Sequence, residues 1–168
     1  METAQVFHPE TISRKGERNA WILAGIALIV ELVMIWRYGI PPIWITVLLI
    51  LLLLSAILIS LSNWVDRNTV LILETDGLVY RNGLRNVSMK WDQIEKLRVT
   101  PDRWGSRIHV SGANIHFNFR KLSDIEFQGK VRGQMGFPEG EAILNEIIQS
   151  SGLSLTEDND QDRYYARP

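Results

Sequence analysis

The sequence contains no cysteine and only three histidines, and it has almost no net charge, since its 168 residues carry a formal charge of −1. Without cysteine the chain cannot form disulfides, thiolate metal sites or a cysteine nucleophile. A near-neutral balance gives no electrostatic case for nucleic acid, which requires a clustered basic surface. We therefore expect no nucleic-acid partner.

The sequence motifs of the common enzyme classes are also missing. The chain has no G-x-S-x-G nucleophile elbow, no glycine-rich phosphate loop and no H-E-x-x-H zinc motif. Two histidines, His109 and His116, are candidates for a shared metal, but no third ligand is apparent near them and zinc needs three or four. We expect a protein that is not an enzyme and that binds no cofactor and no metal.

The chain does have two long apolar runs, which predict membrane-spanning helices. The second run carries no charge from Ile43 to Trp64, a length sufficient to cross a hydrocarbon core about 30 Å thick. The first contains one carboxylate, and tryptophans lie near the ends of both runs, as interfacial anchors do. The predicted spans are residues 19–38 and 42–64.

A short link and the distribution of basic residues predict how the spans are arranged. The link between them, 37–42, is a glycine- and proline-containing turn, so the spans form a hairpin. The first span is too long for a cleaved signal peptide, so we expect an uncleaved anchor. Arg14, Lys15 and Arg18 precede the hairpin, whereas the link has Arg37 alone. By the positive-inside rule, residues 1–18 and both termini of this multi-pass protein are predicted to be cytoplasmic, at the cell membrane.

Glu31 is the one carboxylate in the first apolar run, and helical spacing places it on a stripe of small residues. The stripe comprises Ala20, Ala24, Ala27 and Glu31. In an antiparallel hairpin Ser55 lies roughly opposite Ala24, and Thr46 offers the hydroxyl closest to Glu31. Small and polar residues in spans usually face protein, so one interpretation is a contact between helices or subunits. The alternative is that Glu31 carries a proton or reaches the nearby interface.

After the hairpin, the hydrophobic period changes to two and predicts a β-rich domain. Turns at Asp76-Gly77 and Asn82-Gly83 separate its first strands. The expected strands lie near 69–75, 77–82, 86–91 and 91–100. A hairpin follows in 107–120, with a two-residue turn at Gly112-Ala113 that would place His109 opposite His116. Residues 137–152 read as a helix, and the acidic tail, 153–168, is expected to be disordered.

These elements predict about seven short strands and one terminal helix, forming a small, mainly antiparallel β barrel or sandwich. The run ETDGLVYRNGLRNVSMKWDQIEKLRV (74–99), with W-D-x-I opening a strand, and the closing FPEGEAILNEII resemble bacterial membrane-anchored PH-like domains. The resemblance covers about 66–152. It implies a binding module in which Trp91 and Ile94 are core positions. Because Glu74 and Asp76 occupy the first hairpin, phosphoinositide is not an expected ligand.

One surface of the β domain is a candidate for binding anionic headgroups or a protein partner. Its residues are Trp104, Arg107, His109, His116, Arg120 and Lys121. Asp102, Asp124 and Glu126 are interspersed among the basic residues, which favours an ordinary solvated face.

Two functions follow from these patterns. The first is a membrane-anchored adaptor whose cytoplasmic PH-like domain binds a protein segment or the membrane surface. The alternative is a structural or assembly subunit of a larger membrane complex or homo-oligomer, held through the hairpin.

Overall fold

The computed structural model describes residues 4–11, 13–159 and 162–168. These residues form three α-helices and eleven β-strands. The helices are α1 (Lys15–Tyr38), α2 (Ile43–Arg67) and α3 (Gly140–Ser151). The strands are β1 (Gln5–Phe7), β2 (Thr69–Glu74), β3 (Gly77–Asn82), β4 (Asn86–Lys90), β5 (Ile94–Asp102), β6 (Gly105–Gly112), β7 (His116–Arg120), β8 (Ser123–Phe127), β9 (Lys130–Met135), β10 (Ser154–Asn159) and β11 (Asp162–Ala166).

The chain divides into two compact units. One is the helical hairpin of Ser13–Val65, and the other, here called the β domain, comprises Asp66–Pro168 together with the described residues before Ser13. The helices α1 and α2, of 24 and 25 residues, are both long and apolar enough to cross a membrane. Their large apolar side chains are mostly exposed on the isolated chain, as lipid-facing residues would be.

The β domain is built from antiparallel sheets. One sheet has the order β1-β2-β3-β4, a second has the order β10-β11-β5-β6-β7, and β8 pairs with β9 alone. A short 3₁₀ turn at Trp91–Gln93 separates β4 from β5. Along the chain, β4 is the last strand of the first sheet and β5 is the first strand of the second sheet. Among the described residues these sheets keep free edges, so the expected closed barrel is corrected to open, packed sheets.

One hydrophobic core joins the first two of these sheets and α3. Alternate residues of the strands point into it, as period-two sequences require. Ile143, Leu144 and Ile147 of α3 belong to the same core. The helix ends at Gly152, whose φ of 66° is the left-handed conformation that glycine adopts easily. Ile94 is fully buried and Trp91 packs partly against the core, in agreement with the positions that the family resemblance implies for them.

Two segments at the ends of the chain differ from their predicted structure. The tail, expected to be disordered, forms the β10–β11 hairpin, and β11 pairs with β5 over Arg163↔Val99 to Ala166↔Lys96. Near the other end, Gln5–Phe7 pair antiparallel with β2. The tail is mostly polar and Gln5–Phe7 is very short, so the hydrophobic periodicity of neither segment predicts a strand. Both segments become strands because the edge of an existing sheet supplies their hydrogen-bond partners.

Candidate functional site

The helical hairpin buries a narrow seam between α1 and α2. On α1 the buried residues are Ala24 and Glu31, with Ala20 and Ala27 half-buried on the same stripe. On α2 the buried residues are Ile45, Leu49 and Ala56, with Ala56 fully enclosed. The predicted small-residue stripe of α1 therefore faces α2 within this hairpin. The two buried alanines, Ala24 and Ala56, allow the helices to pack closely.

Glu31 has a partner in the same chain. Thr46 Oγ1 donates a hydrogen bond to Glu31 Oε1 at 2.6 Å, which joins the two residues that the antiparallel alignment predicted to be neighbours. Ser55, expected opposite Ala24, is instead exposed, and its hydroxyl donates to the carbonyl oxygen of Leu51 one turn earlier. The expectation for Ser55 is corrected because helix rotation places Ala56, one residue on, in the seam.

Removing the Thr46 hydroxyl tests this contact. Thr46→Val keeps the side-chain shape but deletes the donor, so we expect the hairpin to lose about 0.6–1.7 kcal/mol, the range measured for interhelical hydrogen bonds in bilayers. Ser55→Ala is the matched control, since its hydroxyl bonds only within its own helix. Steric trapping of the hairpin in bicelles measures both free energies. Equal losses in the two variants would contradict a specific Glu31–Thr46 contact.

In the β domain, three basic side chains gather around Trp104 at the turn between β5 and β6. We call Asp102, Arg103, Trp104, Arg107 and Arg120 the Trp104 cluster. Asp102 Oδ2 accepts hydrogen bonds from Arg120 Nη2 at 2.6 Å and from Arg107 Nη2 at 3.1 Å. Asp102 Oδ1 accepts from the backbone N–H of Arg103 at 2.7 Å. One carboxylate thereby holds two of the three guanidinium groups, and the cluster, with Asp102 counted, has a formal charge of +2.

Two of these cations lie close to the tryptophan ring. The guanidinium carbons of Arg103 and Arg120 are each 5.9 Å from the centroid of the Trp104 ring. This is within the distance at which a cation is attracted to an aromatic face. Trp104 remains 40% exposed, and the side chain of Arg107 is 41% exposed. The cluster therefore presents both an aromatic surface and donors for an anionic group to solvent.

Beside the Trp104 cluster, the same sheet face carries a histidine and an arginine–aspartate ion pair. His109 lies beside Arg98 in the β5–β6 register. Partial burial lowers the pKa of His109, and the positive charges of Arg107 and Arg98 lower it further, while Asp162 opposes them. Arg98 is itself paired with Asp162, and its hydrogen bond lowers the pKa of that carboxyl group.

The predicted surface residues do not all belong to one site. The structure brings Trp104, Arg107 and Arg120 together. His109 lies two residues after Arg107 in β6, outside this group. Lys121 instead forms an ion pair with Glu141 of α3. His116 is exposed at the far end of β7, opposite Ser111.

The predicted pairing of the two histidines was wrong. His109 pairs with Asn118 because the two-residue turn lies one residue later than predicted, at Ala113-Asn114, where Gly112 N–H donates to the carbonyl oxygen of Ile115. A slip of two residues keeps every side chain on its face, so the alternation could not reveal it. In the part of the chain that the structure describes, no three potential ligand residues form a metal site.

Sequence reasoning missed the role of Asp102. It was interpreted as one of the interspersed acidic residues that favour an ordinary solvated face, whereas it is the residue that holds Arg107 and Arg120. The sequence signal was the strand-turn-strand pattern P-D-R-W-G, which places a carboxylate at the end of β5. Comparison of the chain with protein-family models, with curated proteins and with solved structures found no match.

Proposed function

We propose that this chain is a membrane-anchored adaptor without enzymatic activity. The α1–α2 hairpin inserts into the cell membrane, both termini are cytoplasmic, and the β domain binds an acidic segment of a partner protein through the Trp104 cluster. The observation that carries the proposal is the Trp104 cluster, in which Arg103, Trp104 and Arg107 are exposed or partly exposed and the mostly buried Arg120 holds the carboxylate of Asp102.

Two features support the membrane topology. Arg14, Lys15 and Arg18 lie at the start of α1, whereas its last turn has Arg37 alone, as the positive-inside rule requires for cytoplasmic ends. In addition, β1 precedes the hairpin and β2 follows it, yet the two strands pair with each other. A chain that crosses the membrane twice returns to the side it left, which is what this pairing needs.

The order of elements in the β domain supports a PH-like module. Consecutive antiparallel hairpins are followed by one helix that contributes to their core. The β2–β3 turn lies beside Glu74 and Asp76, so a phosphoinositide would meet negative charge there. An acidic peptide at the Trp104 cluster, on the other sheet, is the better match of charge.

The chemistry of the Trp104 cluster favours a carboxylate-containing peptide as ligand. Arg107 and Arg120 already bind one carboxylate, that of Asp102, through one N–H each, and a guanidinium has five N–H donors. Arginine and tryptophan are also the residues most enriched where protein interfaces concentrate binding energy. The ring of Trp104 supplies an apolar surface. In a bound peptide, a side chain next to an acidic residue can pack against this ring.

Peptide binding by the full-length protein tests this proposal. The probe is a fluorescein-labelled hexaglutamate peptide, titrated into protein held in nanodiscs of neutral lipid and followed by fluorescence anisotropy. We expect Arg103→Gln with Arg107→Gln to weaken binding about tenfold, because charged hydrogen bonds of about 1.5–3 kcal/mol each are removed in part. Arg120 is left unchanged because its side chain is only 14% exposed and holds Asp102.

The matched control removes the same amount of positive charge from a different part of the β domain. Lys130→Gln with Arg132→Gln removes two exposed basic residues from β9 and should leave peptide binding within about twofold, an energy difference of about 0.4 kcal/mol. The same loss in both double variants would mean that only net charge matters and would refute a site at the Trp104 cluster.

The alternative role as an assembly subunit ranks second. Its main support was a buried carboxylate in a span, and Glu31 accepts a hydrogen bond from Thr46 of the same chain. Native mass spectrometry of the gently solubilised protein distinguishes the two roles. A stable homo-oligomer or a fixed complex that survives replacement of the Trp104 cluster would favour assembly.

A further inference from the structure

The turn between β3 and β4 exposes a large apolar side chain between two arginines. Leu84 is 68% exposed, more than any other large apolar residue that the structure describes in the β domain. Arg81 and Arg85 on either side are exposed as well. An isolated exposed leucine is ordinary on a protein surface. A leucine flanked by cations at the tip of a turn is the arrangement that suits an anionic lipid surface.

The exposure of Leu84 is imposed by a well-bonded turn. Asn82 Oδ1 accepts hydrogen bonds from the N–H of Arg85 at 2.8 Å and from that of Leu84 at 3.2 Å. The N–H of Asn82 donates to the carbonyl oxygen of Arg85 at 3.1 Å, and Gly83 has a φ of 77°. With the backbone held in this way, Leu84 cannot turn back into the core.

The β3–β4 hairpin itself carries charge of one sign. From Gly77 to Trp91 the sequence contains Arg81, Arg85 and Lys90 and no acidic residue. Strand β4 continues from the turn with Asn86, so the positive charge of the turn is not offset by its own hairpin. A surface of phosphatidylglycerol or a similar anionic lipid is therefore complementary to it in charge.

We propose that the Asn82–Arg85 turn is a membrane-contact site. Leu84 enters the headgroup region of the cytoplasmic leaflet, and Arg81 and Arg85 contact the phosphates of anionic lipids. The site rests on the proposed insertion of the hairpin and goes beyond it, because it gives the β domain a second attachment to the bilayer. Two attachments restrict rotation of the domain about the segment that links it to α2.

The absence of cysteine in the natural chain allows single labels to test the site. The full-length variants Leu84→Cys, Leu155→Cys and Leu51→Cys are each labelled with the fluorophore NBD and placed in nanodiscs containing phosphatidylglycerol. Leu155 is the matched control, since it is 51% exposed on β10 next to Thr156 and Glu157. Leu51, 56% exposed on α2, reports insertion of the hairpin itself.

We expect the label at position 84 to emit at shorter wavelength and to be quenched several-fold less by iodide than the label at 155. Adding Arg81→Gln and Arg85→Gln, or using neutral lipid, should remove most of that protection. If the label at 84 is as accessible as the one at 155 while the label at 51 is shielded, the membrane-contact site is refuted and the anchor stands. If the label at 51 is accessible too, the proposed insertion fails, and the contact site fails with it.

Discussion

Gly136→Ala is expected to unfold the β domain or to lower its free energy of unfolding by about 3 kcal/mol or more, combining backbone strain with a steric clash. The φ of Gly136 is 113°, a conformation that side chains disfavour. A Cβ atom there would lie 2.3 Å from the carbonyl oxygen of Lys121 and 2.8 Å from that of Arg120. Both neighbours are backbone atoms, so no side-chain rotation relieves the overlap.

Backbone hydrogen bonds hold together the segments that meet at Gly136. Phe137 N–H donates to the carbonyl oxygen of Arg120 at 2.9 Å, and Glu10 N–H donates to the carbonyl oxygen of Gly136 at 2.7 Å. Forcing these segments apart would also displace the backbone of Arg120, which holds Asp102 in the Trp104 cluster. We therefore expect Gly136→Ala to weaken binding of the acidic peptide even where the domain still folds.

Gly133→Ala is the control for this variant. Gly133 lies in β9 and has no left-handed φ, and a Cβ atom added there would meet nothing within 4 Å. We expect a change within about 0.5 kcal/mol, as at ordinary surface positions. Pulse proteolysis in urea on the full-length protein in nanodiscs measures both variants. Equal stability of the two would contradict the close approach at Gly136.

Phe119→Ala is expected to cost about 3–5 kcal/mol of stability, the usual range for removing a buried aromatic ring. The side chain is 4% exposed and lies among other aromatics. Its ring centroid is 6.2 Å from that of Phe117 at an interplanar angle of 21°. It is 5.8 Å from that of Phe137, nearly perpendicular at 89°. Truncation would leave a cavity bounded by rings on rigid strands, which cannot collapse to fill it.

Phe119→Leu separates the aromatic contribution from the volume. Leucine keeps most of the buried apolar surface, so we expect a loss well below that of alanine, about 1–2 kcal/mol. Native-state hydrogen exchange of the β7 amides in the full-length chain gives both values. A loss below about 1 kcal/mol for Phe119→Ala would show that this ring is not part of a tightly packed core.

The hairpin and the inward faces of the strands were predictable from local pattern. An apolar run of sufficient length predicts a helix that can cross a membrane, and α1 and α2 begin and end close to the expected bounds. The contact between Glu31 and Thr46 was also predictable, because a short link limits how far two antiparallel helices can slide past each other, although it does not fix their rotation, as Ser55 shows. In the strands, Ile108, Val110, Phe117 and Phe119 are buried as their alternation predicts.

Features that depend on pairing between distant segments were not predictable. The β6–β7 register slipped by two residues, which leaves the pattern of faces unchanged. The tail and Gln5–Phe7 became strands only because β5 and β2 offered unpaired edges. Asp102 joined Arg120 across 18 residues of sequence, so its role as the centre of a basic cluster was invisible in the local charge pattern.

Local sequence is enough to predict the division into an apolar hairpin and a β-rich domain, because hydrophobic length and period are properties of consecutive residues. Which strands pair, that the sheets of the described residues stay open, and that Trp104, Arg107 and Arg120 meet at one corner became known only from the folded chain. Those outcomes depend on side chains and backbone edges brought together from distant positions, where many pairings satisfy the same alternation and only packing selects among them.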